Sequence, residues 1–117
     1  MNRKYSLRQN SEIEKLVKFK MSVGNKFYAI YFHRFNGDPK IAFSVSKKNG
    51  NAVERNYEKK VVKEIIRSHL GELINLKMLI IVKPTTKNLT FLEKKTQIEK
   101  LLKAITKESN NEETKTY

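Results

Sequence analysis

The chain has 117 residues, enough for one domain with a modest core and too few for two. Lys and Arg number 25 against 12 acidic residues, a formal net charge of +13, and a surplus of that size favours a polyanion as partner. There is no Cys, which excludes disulfides and thiolate metal sites and favours an intracellular setting. The longest apolar run, Met78 to Val82, is too short to cross a bilayer, and no signal-peptide segment opens the chain, so a cytoplasmic protein without membrane attachment is expected.

The positive charge is mostly Lys, with Arg only at Arg3, Arg8, Arg34, Arg55 and Arg67. Phosphate binding needs little more than charge, whereas bidentate reading of bases favours Arg. Backbone and shape recognition is therefore favoured over sequence reading.

Taken in chain order, residues 1–8 read as a polar lead-in. Asn10 or Ser11 then caps a short helix whose apolar face is Ile13, Leu16 and Val17. Met21 to Lys26 reads as a break. Phe27 to Phe35 is aromatic and β-type, a strand with Tyr28, Ile30, Phe32 and Arg34 on one face and Phe27, Ala29, Tyr31, His33 and Phe35 on the other. The turn signal Asn36-Gly37-Asp38-Pro39 predicts that Lys40 to Ser46 returns antiparallel beside that strand. A helix follows from Ala52 to about Leu70, with Gly71 as its C-cap, then a buried strand Met78 to Lys83 stopped by Pro84. Thr90 caps a last helix from Phe91 to about Lys107, with Leu92, Ile98, Leu101, Leu102 and Ile105 inward. The domain is expected over residues 1–107, and residues 108–117, which lack apolar spacing, as a disordered tail. The class is α+β, with a sheet of about four strands.

The helix after Asn51 concentrates the charge. At 100° per residue, Arg55, Lys59, Lys63 and Arg67 climb one side and Lys60 widens the stripe, while Val61, Val62, Ile65 and His69 turn toward a core. Glu58 and Glu64 are spaced to pair with Lys neighbours along the helix. Lys47 and Lys48 add charge at the helix N-terminus, where free N–H groups favour anions, and Asn51 and Asn56 supply neutral donors for phosphate or sugar oxygens.

No catalytic cluster accompanies this stripe. Asp38, the sole Asp, sits in the turn, the eleven Glu are scattered, and His33 and His69 lie far apart in sequence. Two-metal nucleases need clustered carboxylates, and acid–base nucleases need paired groups, so a protein-borne active site is not expected.

These residues resemble the protein subunit of bacterial ribonuclease P. The resemblance rests on Ser44-Val-Ser46-Lys47-Lys48, Gly50-Asn-Ala-Val53, Arg55-Asn56, Lys59-Lys60 and Lys63, and extends through Ser22-Val-Gly-Asn25 and Ile80-Ile-Val-Lys-Pro84. It implies an α-β-β-β-α-β-α order, a mostly antiparallel sheet and a left-handed β-α-β crossover. It further implies that Ser46, Lys47, Lys48, Arg55, Asn56, Lys59, Lys60 and Lys63 face the catalytic RNA; the charge stripe and the neutral donors add Arg67 and Asn51 to the candidate RNA-binding set. A cleft lined by Tyr31 and the first helix would hold the 5′ leader of precursor tRNA. That helix departs from the pattern: two aromatics common there stand as Ile13 and Val17, with Phe19 nearby. The implied chemistry is endonucleolytic removal of the leader by the RNA with Mg²⁺, bound mainly by the RNA, with one protein per RNA; no metal-ligating residues are singled out on the protein. The alternative from another class is a structural RNA-binding protein such as a ribosomal protein, which fits the same charge and size.

Overall fold

The computed structural model describes residues 21–115, so the expected first helix, with Ile13, Val17 and Phe19, lies outside the described residues. The elements in order are β1 (Ser22–Gly24), β2 (Tyr28–Arg34), β3 (Lys40–Val45), α1 (Ala52–Arg67), β4 (Leu76–Val82) and α2 (Phe91–Lys115). Short 3-10 turns lie at Lys47–Asn49, Leu70–Leu73 and Pro84–Asn88. The strands form one mixed sheet in the order β1-β2-β4-β3.

Alternation in β2 works as its sequence predicts. Tyr28, Ile30 and Phe32 are buried, while Ala29, Tyr31 and His33 point to the other face. The buried side joins Ile41, Met78, Ile80 and Val82, and both helices close over it with Val61, Val62, Ile65, Ile66, Ile98, Leu101, Leu102 and Ile105. Each such side chain fully removed from water contributes roughly 1.5–3 kcal/mol, so this one layer dominates the stability.

The expected β2–β3 hairpin does not form. β4 lies between the two strands, antiparallel to β2 (Ile30↔Ile80) and parallel to β3 (Phe43↔Ile80). The turn before β3 spends its hydrogen bonds on Asn75 instead. Gly37 donates to Asn75 Oδ1 (3.0 Å), and Asn75 N–H donates back to the Gly37 carbonyl (2.9 Å). The near-continuous apolar run of β4 suits an interior strand with a neighbour on each edge.

Two boundaries also move. Met21 to Lys26, expected as a break, contains β1, which pairs Ser22 with Tyr31 and Gly24 with Ala29. Asn25 makes the connection, its Oδ1 accepting from Phe27 N (2.8 Å) and Tyr28 N (2.9 Å), an Asx turn that three-residue strands leave no periodicity to reveal. α1 stops at Arg67 rather than near Leu70. Ser68 Oγ donates to the Ile65 carbonyl (2.8 Å), so Gly71 falls inside the following 3-10 turn and His69 lies beyond the helix.

In α2, Thr90 Oγ1 accepts from Glu93 N (3.2 Å) as predicted, and Ile98, Leu101, Leu102 and Ile105 are buried. Leu92 is not inward: it is 69 % exposed, because it sits about 120° around the helix from Ile98. The backbone of α2 runs on to Lys115, through most of the segment expected as a disordered tail. Once a helix is nucleated by its packed turns, each further residue adds a hydrogen bond without a new nucleation cost.

Candidate nucleic-acid interface

α1 is built to present cations. Asn51 caps it, its Oδ1 accepting from Glu54 N (2.9 Å), and Glu54 in the first turn suits the positive end of the helix dipole. The buried arc comprises Glu58, Val61, Val62, Ile65 and Ile66. The opposite arc therefore faces solvent, and Asn56, Lys60, Lys63 and Arg67 are exposed on it, with Arg55 and Lys59 half-buried at its flank. Lys63 Nζ lies 5.8 Å from the Phe43 ring centroid, which braces that side chain against β3. Arg55 enters more deeply than a stripe residue should: its Nε is buried with no hydrogen-bond partner among the described residues.

The approach to the helix is fixed by a residue that neither charge nor helical spacing singles out in the sequence. Asn49 is fully buried; its Nδ2 donates to the Lys83 carbonyl (3.1 Å), and its Oδ1 accepts from Ser46 Oγ (3.1 Å). These bonds tie the exposed Lys47-Lys48 turn to the end of β4. Ser46 thus has a structural bond of its own, and Asn51 uses its carbonyl for the cap, so only the amide of Asn51 remains for a ligand. Gly50 adopts φ +128°, and a Cβ there would run into the Glu54 carboxylate. Glu54 also meets Lys87 at 3.0 Å, and that hydrogen bond and charge hold its carboxyl below the usual range.

Behind the cationic face lies a feature the helical spacing pointed elsewhere. Glu58 does not pair along α1. It accepts from Lys94 Nζ (2.6 Å) and from Thr86 Oγ1 (3.0 Å), all three residues being buried. Lys94 Nζ is also 5.1 Å from the Tyr57 ring centroid. Burial first, and then the Glu58 carboxylate, push the Tyr28 phenol well above its ordinary pKa; its hydroxyl has no hydrogen-bond partner among the described residues.

The second predicted site sits elsewhere. Register places Ala29, Tyr31 and His33 of β2, Ala42 and Ser44 of β3, and Lys77, Leu79 and Ile81 of β4 on one face of the sheet. Tyr31 packs there against the buried pair Ala42 and Leu79. α1 covers the other face. The structure therefore gathers Lys47, Lys48, Arg55, Asn56, Lys59, Lys60, Lys63 and Arg67 along one helix and its approach, and separates Tyr31 from them by the thickness of the sheet. Among the described residues no three His, Asp or Glu side chains are grouped to hold a metal ion, and no helix is long and apolar enough to cross a membrane.

Fold and surface together define a small, basic mixed-sheet domain with one cationic helix face. The family model described as Ribonuclease P matches residues 1–106. The chain is 43% identical over 100 residues to the ribonuclease P protein component of Onion yellows phytoplasma, covering 82% of this chain and 70% of that one. It is 39% identical over 117 residues to the ribonuclease P protein component of Acholeplasma laidlawii, covering 95% and 100%. The RNase P protein of Staphylococcus aureus superimposes with a TM-score of 0.81 at 27% identity, over 86% of this chain and 94% of that one. The Thermotoga maritima RNase P protein superimposes with a TM-score of 0.77 at 23% identity, covering 85% and 96%, a likeness of fold. The chain belongs to the ribonuclease P protein family.

Proposed function

We propose that this chain is the protein component of ribonuclease P, a cytoplasmic RNA-binding subunit that assists a catalytic RNA in removing the 5′ leader of precursor tRNA. The observation that carries this reading is the exposed cationic arc of α1, backed by a buried apolar arc, in a member of that family. The stripe neutralises phosphates of the RNA subunit, each contact adding affinity that falls with salt. The opposite sheet face, with Tyr31, receives the leader, where an aromatic ring suits unpaired bases. Mg²⁺ and the hydrolysis belong to the RNA. The protein contributes binding and placement, one copy per RNA.

The test adds the purified chain to a bacterial ribonuclease P RNA and precursor tRNA at low Mg²⁺. Correct 5′ cleavage rises if the reading holds. No gain overturns it, and cleavage by the protein alone would return the active site to the protein.

A further inference from the structure

The cationic face has an aromatic edge that charge does not explain. Tyr57 is 56 % exposed and Val53, one turn earlier on the same side of α1, is 77 % exposed. Large apolar groups in such positions lose free energy to water, and nothing among the described residues covers them. The Tyr57 ring is held from one side: the Lys94 ammonium lies 5.1 Å from its centroid and is itself fixed by Glu58 at 2.6 Å. One turn before Lys94 stands Phe91, a second exposed ring, at 47 %. Asn56 and Lys60 flank Tyr57 in sequence and on the exposed arc.

A pre-oriented aromatic ring beside Lys60 matches the two halves of an unpaired nucleotide, a flat apolar base and a phosphate one bond system away. Charge complementarity selects this occupant over a protein surface, since the arc around the ring is strongly cationic. We propose that Tyr57 is a stacking site for an unpaired nucleobase, with Lys60 on the adjoining phosphate. This inference deepens the RNA-docking reading and rests on it. It adds a contact that recognises single-stranded or bulged RNA beside the contacts that recognise charge.

Stacking and phosphate contacts respond differently to salt, which gives the test. Binding of ribonuclease P RNA is measured across a KCl series for the wild type, Tyr57→Ala, Tyr57→Leu and Tyr57→Phe. The expected result is about tenfold weaker binding for Ala and Leu, near wild-type binding for Phe, and an unchanged log–log salt slope in all. In parallel, Tyr57→Ala weakens binding of a short single-stranded oligoadenylate and leaves a duplex RNA of equal charge unaffected. Ultraviolet crosslinking of wild type to the oligoadenylate places an adduct on the tryptic peptide Asn56–Lys59. Unchanged affinity, equal loss on duplex, a slope that falls with Tyr57, or a change in oligomeric state in place of RNA affinity overturns the proposal. Failure of the wild type to promote leader cleavage would instead strike the proposed function, and the oligoadenylate arm reports on stacking regardless.

Discussion

The ammonium of Lys94 lies 2.6 Å from the carboxylate of Glu58, and the two side chains are only 3% and 5% exposed. The pair joins α1 to α2 directly behind the cationic face, and Thr86 adds a third element to the same carboxylate. Whatever docks on α1 meets a helix whose position is set from within.

Breaking that pair should be costly because the survivor keeps its charge out of water. Glu58→Met or Lys94→Met should each destabilise the fold by about 3–5 kcal/mol. The double variant Glu58→Met with Lys94→Met should recover most of the loss, since two apolar groups replace two desolvated ions. Urea melts of the four proteins, closed as a double-mutant cycle, check this; additive losses would mean the two charges are not coupled.

His69 makes stability depend on pH in a predictable direction. Its Nδ1 lies 3.1 Å from Glu72 and its Nε2 2.8 Å from Glu99, so both ring nitrogens face carboxylates. Burial pulls its pKa down, but the hydrogen bonds and charges of Glu72 and Glu99 outweigh it, and the net shift is upward from 6.5. A raised folded-state pKa means the imidazolium stabilises the fold fully below about pH 6.5 and ceases to as pH rises through the folded value. His69→Gln should therefore lower Tm more at pH 5.5–6 than at pH 9; equal losses at both would show that His69 acts by packing alone.

The stripe itself is tested by salt. Replacing Arg55, Lys59 and Lys63 with Ala should weaken binding to ribonuclease P RNA and flatten its salt dependence, each lost phosphate contact lowering the log–log slope by about 0.7 to 0.9. An unchanged slope in a filter-binding series would mark the stripe as a solvated face.

Gly50→Ala should destabilise the domain by about 1–3 kcal/mol, because φ +128° is a region that L-residues occupy only under strain and the new methyl meets the Glu54 carboxylate. Thermal melts measure it, and RNA affinity should fall alongside as the Lys47-Lys48 turn shifts relative to α1.

Much of this was legible from spacing. The two faces of β2, the buried arc of α1 and the cationic arc opposite follow from periods of 2 and 3.6 residues and needed no partner to be read. What escaped was non-local. Asn36-Gly37-Asp38-Pro39 carries every local mark of a hairpin turn, yet its pairing goes to Asn75, 38 residues away from Gly37 in sequence. The clue lay in β4, whose unbroken apolar run suits a strand with neighbours on both sides. Glu58 carried a clue as well. It falls within the arc of Val61, Val62 and Ile65, and Lys94 falls within that of Ile98, Leu101 and Leu102, so two opposite charges sat at apolar positions of two helices. Leu92 is the reverse case: its hydrophobicity suits a core, but its angle, about 120° from Ile98, turns it to solvent.

The strand order carries a consequence for how the protein is made. β4 occupies an interior position of the sheet although β1, β2 and β3 are all synthesised before it. Until residues 76–82 have left the ribosome, β3 has no partner in the sheet and β2 has only the three-residue β1. The nascent chain must carry a charged helix and aromatic strands without a sheet to bury them, and then close it by long-range pairing, a slow step entropically. Joining of β3 to the sheet is thus gated by translation of β4, its one partner strand.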